Sequence, residues 1–149
     1  ERVEQVRAEI ARLVERAFLT PQQGEAVDPA KIAAFFASPL GRELMASTSL
    51  RREFKFSILV PAADYYPQAG AEEQVLLQGV VDCCFETADG LTVVDFKTDR
   101  VFSALEVRQR AEHYRPQLEA YSRALERVLE KKVVRRALYF LAAGETMEI

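Results

Sequence analysis

At 149 residues, 49% of them apolar and 29% charged, the chain fits one globular domain with a core of its own and is not a disordered chain. No apolar stretch approaches the roughly 18 to 20 residues that a membrane-spanning helix needs. A formal net charge of −3 does not advertise nucleic-acid binding.

The chain opens "ERVEQVRAEIARL", charged and amphipathic rather than a secretory signal, and without an initiating Met. It is expected to be a piece of something longer. Val3, Val6, Ile10, Leu13, Val14 and Ala17 recur at helical spacing and predict a helix over 3–18. "TPQQGEAV" reads as a loop. "DPAKIAAFFAS" offers an N-cap, Asp28, with Pro29 at the first helical position, and "PLGRELMAS" reads as one more short helix. Up to about residue 50 the pattern is helical throughout.

The period then changes to two. "REFKFSILVP" sets Phe54, Phe56, Ile58 and Val60 on one side and Glu53, Lys55 and Ser57 on the other. "EQVLLQGVVDCCFE" and "LTVVDFKT" are two more strands, joined through "TADG", a hairpin signal. The adjacent Cys83 and Cys84 point to opposite faces of such a strand, and two thiols cannot alone complete a zinc or iron–sulfur site. They read as packing residues of a reduced, intracellular protein.

A helix is expected from about Ser103, restarted by Pro116 as "PQLEAYSRALERVLE", and "KVVRRALYFLAA" reads as the last strand. Residues 99–136 carry ten Lys/Arg against six Asp/Glu, a net of +4 that leaves −7 elsewhere. That asymmetry fits a polyanion-facing surface and equally a solvated helix face. The order predicts an α/β domain: a mixed βββαβ sheet over 51–149 with flanking helices and a helical lead-in over 1–50.

Inside "VVDFKT", Asp95 and Lys97 share one face of a strand and Phe96 takes the other. If Ala88–Asp89 form the hairpin turn, Asp82 lies opposite Asp95; if Asp89–Gly90 form it, Asp82 faces Lys97. Unbroken alternation then puts all three groups on one face in either register. Two carboxylates with one lysine are awkward as a purely structural feature. A hard divalent cation resolves the conflict, since Mg²⁺ accepts carboxylate oxygens, and Lys97 beside it can offset charge on a phosphoryl group. Phosphodiester hydrolysis and an inert salt-bridged hairpin both remain open on the pattern alone.

"QGVVDCCFETADGLTVVDFKTD" followed by "YRPQLEAYSRAL" resembles the PD-(D/E)XK nucleases of the RecB-like class. Their pattern is G-x-x-D, a short hairpin, D-x-K, then Q-x-x-x-Y on the next helix. It is met by Gly79 and Asp82, by Asp95 and Lys97, and by Gln117 and Tyr121. "FKTD", the "SPLGRELMAS…REFKF" lead-in and the closing "RALYFL" look most like the nuclease domain of AddA-type helicase–nuclease subunits. The resemblance implies a restriction-endonuclease-like core and a Mg²⁺-dependent DNA exonuclease, with Mn²⁺ as a possible substitute.

By the same resemblance, Asp82, Asp95 and the backbone carbonyl of Phe96 would hold the metal and Lys97 would be the catalytic lysine. Gln117 and Tyr121 would position DNA or the catalytic groups, and Glu53 matches an acidic position on the first strand. Implied partners are a single-stranded DNA end fed by a motor and an AddB-type subunit, in a cytoplasmic machine that processes double-strand breaks for recombinational repair. One departure stands out. Nucleases of this class usually carry a metal-binding histidine on a helix upstream, and the only histidine here, His113, comes too late and reads as a surface residue. The histidine helix is expected to lie before this sequence, which would leave the metal site weak in this piece. No G-x-x-x-x-G-K-[ST] phosphate loop occurs either, so ATPase and helicase activity would belong to a parent chain. The alternatives are a catalytically inactive nuclease fold that binds DNA or docks a partner protein, and a standalone RecB-like nuclease.

Overall fold

The computed structural model describes residues 1–149, the whole sequence. Four helices come first: α1 (Arg2–Glu15), α2 (Pro21–Ala26), α3 (Pro29–Ala37) and α4 (Pro39–Ala46). They lead into β1 (Arg51–Pro61), β2 (Gln74–Thr87) and β3 (Gly90–Lys97); α5 (Ala104–Leu129) then connects to β4 (Val133–Phe140) and β5 (Glu145–Glu148). The five strands form one sheet in the order β1-β2-β3-β4-β5. β3 and β4 run parallel and the other neighbours antiparallel, because only the α5 connection is long enough to return the chain to the same end. This is the mixed βββαβ sheet expected, extended by a short edge strand. No helix is long and apolar enough to cross a membrane.

Each face of the sheet buries its own core. On one side α5 brings Val107, Ala111, Leu118 and Leu125 down on Val81, Cys84, Leu91, Val93, Leu138 and Phe140. On the other, Phe35 of α3 and Leu40 and Leu44 of α4 cover Cys83, Phe85, Val94, Ala137 and Tyr139. The lead-in therefore supplies half of the packing. Cys83 and Cys84 fall on opposite faces, both free, and burial pushes the Cys83 thiol up to about 11.

Three local expectations need correction. "TPQQGEAV" holds a short helix, α2, because Thr20 Oγ1 accepts from the Gln23 N–H at 3.1 Å while Gln23 Oε1 accepts from the Thr20 N–H at 2.8 Å. Pro116 does not restart a helix; it sits inside the continuous α5. The lost backbone bond is offset by packing on both sides of it, with Ala111 and Leu118 fully buried on the sheet. β5 escaped notice because four residues, "ETME", carry too little alternation to read as a strand.

α4 crosses the end of α3 at backbone contact. A Cβ on Gly41 would lie 2.0 Å from the Phe35 carbonyl oxygen and 2.9 Å from the Phe36 Cα. Helix propensity alone predicts that Gly41→Ala gains about 1 kcal/mol. The contact reverses the sign: we expect a loss toward the upper end of the roughly 1–3 kcal/mol seen for overpacked sites. A fall in the urea midpoint at constant m-value measures it.

Candidate active site

The β2–β3 ladder begins at Thr87 and Gly90 and stops at Cys83 and Val94. Ala88–Asp89 are thus the turn, the register that sets Asp82 against Asp95. Past that point the strands part, and the Phe96 N–H donates to Asp82 Oδ2 at 2.8 Å instead of to a backbone carbonyl. The N–H and C=O of one extended residue project to the same edge, so the Phe96 carbonyl also faces β2. The Lys97 carbonyl faces the other way and accepts from the Leu141 N–H at 2.9 Å.

β1 shares the interruption. Arg52 pairs with Cys83 and Phe54 with Val81, but Glu53 between them does not pair with Asp82, and its φ is +49°. That left-handed backbone costs a non-glycine residue about 1–2 kcal/mol. The alternation expected of β2 also breaks here: Val81 packs on the α5 face and Cys83 on the opposite one. Asp82 therefore reaches Asp95 through the gap between strands, not by the unbroken alternation that the sequence implied.

Asp95 is 5% exposed and lies on the α5 side with Lys97. Lys97 Nζ sits 2.5 Å from Asp95 Oδ2 and donates to Gln117 Oε1 at 3.0 Å. Gln117 Nε2 in turn donates to the Tyr121 hydroxyl at 3.0 Å. Burial raises the Asp95 pKa, Lys97 opposes that, and the neighbouring Asp82 carboxyl adds to it. Asp95 Oδ2 accepts no hydrogen bond of good geometry, so the close ammonium is an ion contact rather than a directed bond.

Gln117 and Tyr121 share one face of α5, as their i, i+4 spacing requires. Gly79 makes room for that face: a Cβ there would meet Phe56 at 2.7 Å and Tyr121 at 2.9 Å. Glu53 is exposed and forms no ion pair with the neighbouring arginines. It lines an open cleft of about 1050 Å³ with Arg52, Leu50, Asp82 and Phe96. His113 is exposed, edge-on to Tyr114.

Sequence reasoning passed over Tyr114, Asp99 and Arg110. The Tyr114 ring lies under Lys97 Nζ, 3.9 Å to the centroid, and its hydroxyl donates to Asp99. A signal existed: Tyr114 precedes Gln117 by three residues and Tyr121 by seven, on the same helical face.

The donor set can be tested against a divalent cation. No three His, Cys, Asp or Glu side chains gather anywhere in the chain, so a cation here would have two carboxylate side chains, Asp82 and Asp95, and the Phe96 carbonyl edge. Mg²⁺ is commonly held by one or two carboxylates and keeps several waters, and all these donors are hard oxygens. The buried Asp95 oxygen without a directed partner supplies the structural sign of such a site. The residues present fit.

A family model described as the PD-(D/E)XK nuclease superfamily matches residues 1–148. Curated relatives named as ATP-dependent helicase/nuclease subunits are similar to the chain. The protein of Desulforudis audaxviator is 43% identical over 149 residues, which cover 99% of this chain. Those of Acetivibrio thermocellus and Bacillus velezensis are 41% identical over 148 residues and 36% over 155, covering 97% and 98%. The chain spans 12% of the length of each of these relatives.

The raised Asp95 pKa has a stability consequence. Between its unfolded value and its raised folded value the native state binds more protons than the unfolded one, so stability falls as pH rises through that window. In metal chelator, Asp95→Asn should be more stable than the parent at pH 7. That advantage should shrink as the pH falls toward the ordinary carboxylate range. Urea midpoints of both proteins across pH 4–8 measure it, and an advantage independent of pH would remove burial of the charge as its cause.

Proposed function

The chain belongs to the PD-(D/E)XK nuclease superfamily, and from that membership we propose that it is the nuclease domain of a helicase–nuclease subunit, cutting DNA by Mg²⁺-dependent phosphodiester hydrolysis. The observation that carries the reading is the convergence of Asp82, Asp95 and Lys97 where the β2–β3 ladder ends. Residues 1–149 act as one unit in it, since the lead-in over 1–50 completes the core over 51–149.

Asp82, Asp95 and the Phe96 carbonyl would hold the cation, with Mn²⁺ able to replace Mg²⁺. When bound, the metal supplies a water of lowered pKa and neutralises charge on the phosphate. Asp82 is fixed for this by the Phe96 N–H, and Asp95 by its burial in the sheet. Lys97 aims Nζ at the scissile phosphate and offsets the charge that grows on its oxygens. Gln117, anchored by Tyr121, orients that ammonium through Oε1. Glu53, on the open rim, faces the incoming strand.

The parent chain would bring the motor, feed a single-stranded end to this domain beside an AddB-type subunit, and work in the bacterial cytoplasm on double-strand breaks. The names and coverage of the relatives support that wider setting.

In the full-length chain, Asp95→Ala and Lys97→Ala should each lower strand cutting by at least about 100-fold, the scale on which a single electrostatic stabiliser acts. ATP-driven unwinding should stay largely intact. Unwinding lost together with cutting would assign the pair a structural role, and cutting retained at the parental rate would leave a nuclease fold that only binds or docks.

A further inference from the structure

Lys97 carries its charge on a flexible four-carbon stem, and fixing such a side chain costs about 2 kcal/mol of rotamer freedom. Three groups surround its Nζ: the Asp95 carboxylate at 2.5 Å, Gln117 Oε1 at 3.0 Å and the face of the Tyr114 ring at 3.9 Å. Asp95 is shared with the proposed cation, so it is not free to hold the lysine alone. The ring and the amide have no second claim on them from that chemistry.

The ring is itself held. The Tyr114 hydroxyl lies 3.1 Å from each carboxylate oxygen of Asp99, and Arg110 Nε donates to Asp99 Oδ2 at 2.9 Å. Asp99 is only 11% exposed at its side chain, which keeps the bond out of competition with water. Although partial burial works against it, the bonds from Arg110 and Tyr114 hold the Asp99 carboxyl below its usual range, so it stays anionic. Burial and then Asp99 push the Tyr114 phenol up, so it remains a donor. A phenol that donates to an anion carries more electron density on its ring, and a richer face holds an ammonium more firmly.

We infer that Tyr114 is a positioning residue for Lys97: its ring seats the ammonium, and Asp99, clamped by Arg110, seats the ring. The inference rests on the nuclease reading of the site. It adds a line of support from Arg110 through Asp99 and Tyr114 to Lys97 that is separate from the line through Tyr121 and Gln117.

The test uses the full-length chain, with steady-state cutting of single-stranded DNA in Mg²⁺ and ATP-driven unwinding by the same molecule as the control for folding. Tyr114→Leu removes the seat and should lower kcat about 30-fold, the scale of a desolvated cation–π contact. KM should stay within about twofold, as expected when an interaction made in the transition state is lost. Tyr114→Phe keeps the ring and should recover most of that rate. Tyr114→Phe and Asp99→Ala break the same link, so their effects on kcat should not add in the double variant.

A rise in KM at unchanged kcat would make Tyr114 a DNA contact instead and overturn the inference. So would equal losses for Tyr114→Phe and Tyr114→Leu, or additive effects of Tyr114→Phe and Asp99→Ala. If Tyr114→Leu loses unwinding, the comparison of Tyr114→Phe, Asp99→Ala and their double variant decides by itself. Lys97→Ala that still cuts would sink the nuclease reading, whereas an inactive Lys97→Ala beside a fully active Tyr114→Leu would sink this inference alone.

Discussion

The site depends on one interruption, the end of the β2–β3 ladder at Cys83 and Val94. A regular ladder would spend the Phe96 N–H on the backbone of β2 and hold the strands at full pairing distance. Here the Asp82 side chain takes that N–H, so the strands part without leaving a buried donor unsatisfied. The same substitution draws the Asp82 carboxylate toward Asp95 and leaves the Phe96 carbonyl edge facing it. Glu53, in line on β1 with a left-handed backbone, continues the interruption to the edge of the sheet.

Bringing the carboxylates together is electrostatically unfavourable. Asp95 is buried, its neighbour carries like charge, and Lys97 compensates only in part. The arrangement persists because β3 is clamped from both sides. Phe96, on the face away from Asp95, meets the ring of Phe35 edge-on at 4.9 Å, and Phe35 meets Tyr139 at 4.8 Å. α3 and α4 thus fix the strand that carries both Asp95 and Lys97. Burying one such side chain is worth about 1.5–3 kcal/mol, and several of them together outweigh one strained carboxylate.

α5 answers from the other face. Tyr114, Gln117 and Tyr121 stand on one side of it at helical spacing, and the missing side chain of Gly79 lets that side approach β2. The helix has to be continuous through Pro116 for these three residues to stay in phase, which is what packing of Ala111 and Leu118 on the sheet secures.

Much of this was legible in the residues. Period-two and period-3.6 patterns located the strands and main helices, because burial on one face imposes those periods wherever it occurs. The hairpin signal limited Asp82 to two partners, and the lone histidine after the D-x-K tract could be set aside as a surface residue. What pattern could not reach was decided by contacts between distant segments. No local rule says that β2 changes face at Asp82, since the change is enforced by β1 and β3 on either side of it. No spacing puts Tyr114 beneath Lys97, or Asp99 and Arg110 behind Tyr114, because that meeting depends on how α5 lies across the sheet. By itself the sequence determined which residue types were available and which faces they occupied within each element. The tertiary structure alone decided which of them touch, because an ammonium, a ring and a carboxylate interact through distances that only the packing of α5 on β3 sets.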